Sequence, residues 1–216
     1  MNFDLAFRFV HNYLLQYEKT LGITYGNLGF YVSMLDNLLE ETKQVPRNQK
    51  QVKKCIENAV RGKRIMEIGC RDGTFLRLLQ DHGAIVAGAT SGKHYAMAQK
   101  NLNDAILVNS NSEEVGSKRE LVEFKPDFLF NMNLFDRRRW GDKKPPYRKL
   151  YTGLRKLVSP NTRIFLTPAV DSRSVMDPEK LRKSSGVTHF KDSRTYRNGH
   201  EKAPHHLSIS FRLKRR

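Results

Sequence analysis

The stretch EIGCRDGTF, residues 67–75, places an acid and two glycines at a spacing that could build a ligand-binding turn. Glu67 lies at the end of a short apolar-rich run, and Gly69 and Gly73 follow it. Because glycine has no Cβ, it lets the backbone turn through positive φ and lets a ligand approach closely. The spacing therefore predicts a binding loop for a dinucleotide, a phosphate or an adenosine-bearing cofactor.

Two of these three ligands need sequence features that the chain lacks. A dinucleotide loop needs G-x-G-x-x-G and an acid about twenty residues later. Here Arg71 and Thr74 replace two of those glycines, and residues 88–92 read GATSG with no acid. A phosphate loop needs G-x-x-x-x-G-K-[ST], but the nearest match, residues 83–90, has Ala89 at the lysine position. The pattern favours the adenosine-bearing cofactor.

The elements that would position this loop alternate between strands and helices. Residues 1–62 read as three helices, with a glycine-rich break at 24–29 and a third helix ending at Gly62. Predicted strands lie at 63–68, 84–88, 105–109, 127–132 and 162–167, and predicted helices lie near 73–82, 93–103, 113–120 and 146–158. Residues 187–214 read as two strands of a hairpin. The alternation predicts an α/β fold with a mostly parallel sheet, and the loop would lie at its carboxyl edge, where such sheets bind ligands.

The acid, the glycines and this order of elements resemble motif I of the class I S-adenosylmethionine-dependent methyltransferases, whose usual form is an acid followed by G-x-G-x-G. The resemblance covers residues 63–213. It implies a Rossmann-like methyltransferase fold with a mostly parallel seven-stranded sheet and a C-terminal antiparallel hairpin. It also implies a helical leader or lid at 1–62, a methyltransferase domain at 63–216, and S-adenosyl-L-methionine as the cofactor.

The resemblance also assigns cofactor contacts, with three departures from the usual pattern. Arg71 stands at the middle glycine, Thr90 or Ala89 stands where the family places the acid that binds the ribose, and Asn111 stands near the position of the adenine-contacting Asp. A hydroxyl at the ribose turn is similar to the cyclopropane-fatty-acid-synthase-like branch, and a pocket that has lost the cofactor is the alternative. The implied cofactor-binding residues are Glu67, Gly69, Cys70, Arg71, Gly73, Thr90, Asn111 and Asn131.

The acceptor side of the family follows the fourth strand, where this chain reads NMNLFD at 131–136. This segment resembles neither the N-P-P-Y motif nor a cysteine-based motif, which argues against adenine-N6 and cytosine-C5 methylation. Asn133 and Asp136 are the predicted catalytic residues, which would position the acceptor. Their alternatives are a turn-capping role for Asn133 and pairing with neighbouring arginines for Asp136.

A basic segment with aromatic residues follows directly, at residues 137–147. Arginines can bind phosphate while aromatic rings stack on a base or sugar. The alternative is an exposed loop whose tryptophan packs back on the domain. The predicted substrate-binding residues are Arg137, Arg138, Arg139, Trp140 and Tyr147.

The charge of the chain is strongly positive and unevenly distributed. The net charge is +17; residues 1–134 hold 17 basic and 15 acidic side chains, whereas residues 135–216 hold 22 and 7. Such a surface attracts polyanions. RNA is the favoured acceptor; a small molecule, lipid or anionic glycan is the alternative, and a non-catalytic protein that binds nucleic acid or a partner protein is a third reading.

The two cysteines and seven histidines show no metal-ligand spacing, so no metal is expected. The N-terminal segment carries Asp4, Arg8 and Glu18 and has no clean apolar block. We therefore expect neither a signal peptide nor a membrane span, and we predict a cytoplasmic protein.

Overall fold

The computed structural model describes residues 3–21, 28–132, 147–170, 183, 187–195 and 206–213. Helices α1 to α3 span Phe3–Leu21, Leu28–Glu41 and Gln49–Val60. The alternating part comprises β1 Arg64–Ile68, α4 Thr74–Gln80, β2 Ile85–Thr90, α5 Lys93–Asn101, β3 Ile106–Asn109, α6 Arg119–Phe124, β4 Phe128–Met132, α7 Tyr147–Leu157, β5 Arg163–Val170, β6 Val187–Thr195 and β7 His206–Leu213.

The strands form one seven-stranded sheet in the order β3-β2-β1-β4-β5-β7-β6. Strands β1 to β5 pair in parallel, whereas β7 runs antiparallel to both β5 and β6. The chain returns from β3 at one edge to place β4 beside β1, so the strand order reverses there. This topology confirms the predicted α/β architecture, including the C-terminal antiparallel hairpin.

The two faces of the sheet carry separate apolar cores. On the face of the leader, Ile65 and Phe130 join a cluster that contains Leu35, Ile56 and Phe75 from the helices. On the other face, residues such as Met66 and Leu129 pack with Leu121 of α6 and Leu154 of α7. Successive side chains of a strand point to opposite faces, which explains why neighbouring residues of β1 fall into different clusters.

The described aromatic residues of the leader contribute to the first of these cores. Tyr31 is 2% exposed and stacks on Phe75 of α4, with ring centroids 5.9 Å apart. Tyr13 is also buried, and its hydroxyl donates a hydrogen bond of 2.7 Å to Asp81. These contacts fix α1 and α2 against the sheet and against α4.

A buried ion pair also ties the leader to the sheet. Arg163 of β5 is 4% exposed and lies 3.0 Å from the Oε2 atom of Glu41 in α2. Its guanidinium also donates to the His189 carbonyl at 2.6 Å and to the Ser210 hydroxyl at 3.0 Å. Burial lowers the pKa of Arg163 and the Glu41 carboxylate raises it, so the pair keeps the charge where burial alone would oppose it.

Several predicted boundaries are wrong. The helix expected at 113–120 is a 3-10 turn, Val115–Ser117, followed by α6. The turn packs closely on α7, because a Cβ at Gly116 would lie 2.5 Å from the Cα of Gly153. Helix α2 begins inside the expected break, and β2 and β5 extend past the predicted ends. The predicted end of α3 is confirmed, because the helix stops at Val60 and Gly62 follows its C-cap Arg61 with a φ of 70°. Boundaries depend on such tertiary contacts, which sequence periodicity does not contain.

Candidate functional site

The carboxyl ends of four adjacent strands bring four of the predicted cofactor-binding residues to one edge. Gly69 follows β1, Thr90 ends β2, Asn111 follows β3, and Asn131 lies near the end of β4. In open α/β sheets, ligands bind at this edge, beside the point where the strand order reverses. The structure therefore places the predicted residues where such a fold holds a ligand.

The loop between β1 and α4 has left-handed backbone at alternate positions. Gly69, Arg71 and Gly73 have φ values of 81°, 51° and 79°. The Gly69 N–H donates to the Ala89 carbonyl at 2.7 Å, and the Gly73 N–H donates to the Cys70 carbonyl at 2.8 Å. Arg71 thus has left-handed backbone like the two glycines beside it, at a cost of about 1 kcal/mol. Positive φ therefore occurs at all three positions where the G-x-G-x-G pattern has glycine.

Cys70 is part of the packing under this loop. Its side chain is 1% exposed, and a Cβ added at Gly88 of β2 would lie 2.8 Å from its Sγ and 2.9 Å from Leu76 Cδ1. Burial, followed by the nearby Glu67, raises the pKa of Cys70, so the side chain is a neutral thiol. Gly88 is required for the close approach of β2 to the loop.

Asp72 fixes the end of the loop to α4 and α5, a role that sequence reasoning missed. Its Oδ1 accepts hydrogen bonds from the Thr74 N–H at 3.2 Å and from the Thr74 hydroxyl at 2.8 Å. Its carbonyl accepts a bond of 2.6 Å from the Asn101 side-chain amide. The D-x-T spacing, typical of an Asp side chain that accepts from the backbone N–H two residues later, was the available signal.

Glu67 is the most perturbed acid of the site. It is fully buried, and neither carboxylate oxygen has a hydrogen-bond partner among the residues that the structure describes. Burial first, and the charge of Asp72 second, raise its pKa to about 8. Glu67 is therefore a neutral carboxylic acid at pH 7, because an unpaired buried carboxylate is costly.

Asn131 is a second buried polar side chain without a partner. It is 1% exposed, and within the described ranges neither its amide oxygen nor its amide nitrogen makes a hydrogen bond. It pairs with Ile68 and Leu166, whereas Glu67 pairs with Gly88, so Asn131 and Glu67 lie on opposite faces of the sheet. At the carboxyl edge, each face of the sheet therefore has one buried polar side chain that lacks a partner among the described residues.

His94, in the first turn of α5, is a further candidate that is not among the residues predicted from the sequence. Its Nδ1 is buried and has no partner in the described part of the chain. Burial lowers the pKa of His94, as do the charges of Arg71 and Lys93, so the ring is neutral at pH 7. The sequence feature that could have identified His94 is its position four residues after Thr90, which places it at the same edge of the sheet.

The predicted acceptor side lies outside the described residues. This holds for the catalytic candidates and for most of the substrate-binding ones, namely Asn133, Asp136, Arg137, Arg138, Arg139 and Trp140. Tyr147 begins α7, but its side chain is not among those described. These assignments stay predictions.

Neither a metal-ligand cluster nor a membrane-spanning helix occurs in the described ranges. In those ranges, no three His, Cys, Asp or Glu side chains come together as the ligands of a metal ion would. None of the helices there combines the length and apolar character needed to cross a membrane.

Comparison with known proteins finds similarity in structure and none in sequence. No protein-family model matches the chain, and no curated protein matches it by sequence. Magnesium protoporphyrin IX methyltransferase from Synechocystis PCC 6803, solved with bound SAM, superposes with a TM-score of 0.58 at 12% identity, covering 95% of this chain and 97% of that one.

Two further solved structures superpose over most of their length. A TehB-like SAM-dependent methyltransferase from Corynebacterium glutamicum has a TM-score of 0.54 and 13% identity, with 96% and 99% of the two chains covered. The 1,6-didemethyltoxoflavin-N1-methyltransferase from Burkholderia thailandensis, solved with S-adenosylhomocysteine, has a TM-score of 0.54 and 14% identity, with 87% and 88% covered. Together with the sheet order and the glycine loop, these superpositions show that the chain has the fold of the class I S-adenosylmethionine-dependent methyltransferases.

Proposed function

We propose that this chain is a methyltransferase that binds S-adenosyl-L-methionine at the loop of residues 67–73. The observation that carries the proposal is the left-handed backbone at Gly69, Arg71 and Gly73, at the carboxyl edge of a sheet with methyltransferase topology. Positive φ occurs at all three glycine positions of motif I, although one of them holds arginine. A loop that had lost its ligand would have no need to keep a strained arginine there.

The residues at the edge fit the chemical groups of this cofactor. The backbone of the loop can approach the methionine part, because two of its positions lack a Cβ. Thr90 would hold the ribose through its hydroxyl, in place of the usual acid, and the exposed amide of Asn111 would contact the adenine edge. The unpartnered Nδ1 of His94 and the unpartnered amide of Asn131 supply further hydrogen-bonding groups.

When bound, the cofactor supplies a methyl group on a sulfonium, which a nucleophile displaces in line. The work of this chain is then to bind and orient, since a displacement of this kind depends mainly on the alignment of the reacting atoms. The hydrogen bonds from Gly69 to Ala89 and from Thr74 to Asp72 hold the loop before any ligand arrives. Glu67 stays neutral until a positive charge nearby favours its ionised form.

We favour RNA as the acceptor. The support is the net charge of +17, most of it in residues 135–216, because a basic surface concentrates polyanions and speeds their encounter. Arg137, Arg138 and Arg139 would bind phosphates, and Trp140 and Tyr147 would stack on a base or sugar. Asn133 and Asp136 would position the acceptor group.

A small-molecule acceptor is the second candidate. Two of the structures that superpose on this chain are named for small acceptors, magnesium protoporphyrin IX and 1,6-didemethyltoxoflavin. A chain of the same fold could therefore act on a lipid, a glycan intermediate or another anionic small molecule. We also propose that the protein is cytoplasmic and that it can bind a protein partner.

Calorimetric titration of S-adenosylmethionine and S-adenosylhomocysteine tests the cofactor assignment. We expect a dissociation constant in the micromolar range, about −8 kcal/mol, and loss of binding in Gly69→Arg. The matched control is Gly62→Arg, because Gly62 also has positive φ (70°) but has nothing within 4 Å of an added Cβ and lies before β1. A folded protein that binds neither compound would refute the enzyme and favour the non-catalytic reading.

Transfer of a labelled methyl group distinguishes the acceptors. With total RNA as the substrate, we expect label that ribonuclease removes and a rate that falls as salt rises, since phosphate contacts release counterions. Label that appears only with a small-molecule extract would instead assign the second candidate.

A further inference from the structure

A cavity of about 320 Å³ lies between α1, α3 and the end of α4, away from the proposed cofactor loop. Its lining residues are Phe9, Asn12, Tyr13, Gln16, Gln49, Lys53, Asp81 and His82. Asp81 and His82 precede β2, whereas Thr90 ends it, so the length of β2 separates the cavity from the carboxyl edge. At 3.3 Å per residue this is roughly 20 Å. The cavity is therefore a separate site.

His82 lines this cavity with an imidazole ring whose Nδ1 is already hydrogen-bonded. The residue is 6% exposed, and its Nδ1 lies 2.7 Å from the Leu78 carbonyl. A carbonyl only accepts, so Nδ1 donates this bond and Nε2 is the ring nitrogen that is left for a ligand. The edge contact with Phe9, at 5.7 Å between ring centroids, holds the imidazole in this orientation. A ligand with an N–H or O–H group would satisfy Nε2.

The charges around the cavity favour an anionic group at its rim. Asp81 is already balanced, because it accepts from the Tyr13 hydroxyl at 2.7 Å and pairs with Arg77 at 2.7 Å. Lys53 has only a long contact of 4.0 Å with Glu57, and its side chain is 69% exposed. The cavity thus has a neutralised carboxylate inside and an available ammonium group at its opening.

The surface next to the rim is also basic. Residues 47–54, just before and within the start of α3, hold four basic side chains and no acidic side chain. In the described part of the chain, no ion pair involves Lys50 or Lys54, the neighbours of Lys53 on α3, and both are exposed. This excess of positive charge is separate from the basic residues of the segment 135–216, which hold most of the net charge of the chain.

The remaining walls combine flat apolar rings with amides. Phe9 and Tyr13 supply aromatic surface, and Asn12 and Gln16, one helical turn apart on α1, can each donate and accept hydrogen bonds. Planar heterocycles with both donors and acceptors on their edges match this arrangement, and base stacking on aromatic side chains is a general mode of nucleic-acid binding. The volume lies near the lower limit for small-ligand sites, which suits one nucleotide.

We propose that this cavity is a nucleotide-binding site, in which the base lies against Phe9, Tyr13 and His82 and the phosphate pairs with Lys53. The Nε2 of His82 accepts from an N–H group of the base, and the amides of Asn12 and Gln16 contact its other polar atoms. A free nucleotide and one nucleotide of a single-stranded RNA share this chemistry. The site does not depend on the proposed methyl transfer.

Titration of uridine 5′-monophosphate by calorimetry, with S-adenosylhomocysteine present in saturating amount, tests the proposal. A uridine nucleotide is used because the cofactor loop is expected to recognise adenine. The same titration of the Gly69→Arg variant tests binding when that loop is blocked. We expect saturable binding, weakened about tenfold by Lys53→Gln, which corresponds to about 1.4 kcal/mol. Uridine and inorganic phosphate, as separate halves of the ligand, should each bind more weakly.

Lys54→Gln is the matched control, because it removes the same charge one residue away from a side chain that lines the cavity. Equal losses in the two variants would mean general attraction to a basic surface and would overturn the site. A dissociation constant above about 1 mM for the mononucleotide in the wild-type protein would also overturn it. Tighter binding of a short oligouridylate, lost in Lys53→Gln, would identify RNA as the source, whereas equal or weaker binding would identify the free nucleotide.

Discussion

Replacement of Glu67 by glutamine should change how the stability of the protein depends on pH. In the folded protein, burial raises the pKa of Glu67 to about 8, from an ordinary value of 4.5. Between these two values the folded state keeps the proton while the unfolded state has released it. The contribution of Glu67 to stability is therefore complete below the unfolded pKa and is lost progressively as pH rises towards the folded pKa.

The magnitude follows from the size of this shift. Within the window, each pH unit changes the free energy of unfolding by about 1.4 kcal/mol for one proton. Between about pH 5 and about pH 7.5, the wild-type protein should lose roughly 3 kcal/mol relative to Glu67→Gln, whose amide does not titrate. The introduced glutamine amide also lacks hydrogen-bond partners, which affects the stability of the variant at every pH. The test is therefore how the difference in free energy of unfolding between wild type and variant changes with pH, and not the absolute stability of the variant.

Urea denaturation of the cofactor-free protein at several pH values measures this difference. The control is Glu120→Gln, which removes an exposed carboxylate at the start of α6 and so reports the effect of losing one surface charge. Parallel curves for wild type and Glu67→Gln would refute the reasoning, because they would mean that Glu67 is ionised and stabilised in the folded protein.

Three further changes test the packing around the site and the leader. Arg71→Gly should raise the free energy of unfolding by about 1 kcal/mol, because glycine adopts a φ of 51° without strain; an unchanged or lower denaturation midpoint would contradict the strained loop. Gly88→Ala should destabilise by about 1–3 kcal/mol, because the added Cβ would lie 2.8 Å from Cys70 Sγ. Combining it with Cys70→Ala should restore part of that loss in the same denaturation assay, and purely additive losses would count against the contact. Glu41→Gln should cost about 2 kcal/mol in thermal or urea unfolding, because it leaves the buried guanidinium of Arg163 without its carboxylate; a neutral effect would mean that the hydrogen bonds to β6 and β7 satisfy that group alone.

Much of the fold could be predicted from the sequence because its signals are local. The alternation of apolar runs with helical spacing specified the parallel strands, and the change of pattern after residue 187 specified the antiparallel hairpin. The site edge followed from the rule that ligands bind at the carboxyl ends of parallel strands. Exact ends were harder to predict, as the packing of Gly116 on Gly153 shows at the helix that was expected at 113–120.

The candidate site was predicted in part. The positions of Gly69, Thr90, Asn111 and Asn131 followed from motif spacing and strand order, and the structure brings them to one edge. Asp72 and His94 were missed. Whether the carboxylate of Asp72 binds Thr74, and whether the Nδ1 of His94 lacks a partner in the described part of the chain, depends on which groups lie around them. The division of the chain near residue 62 into a leader and a catalytic domain stays a prediction.

The sequence by itself determined the order of elements, the location of the glycine loop and the excess of positive charge. These properties are written in residue types and their spacing along the chain. Only the tertiary structure decided that Arg71 has positive φ, that Glu67 is buried without a partner among the described residues, and that His82 lines a separate cavity with its Nδ1 already bonded. The physical reason is that protonation, burial and backbone strain depend on neighbours that are distant in sequence, and packing alone brings those neighbours together.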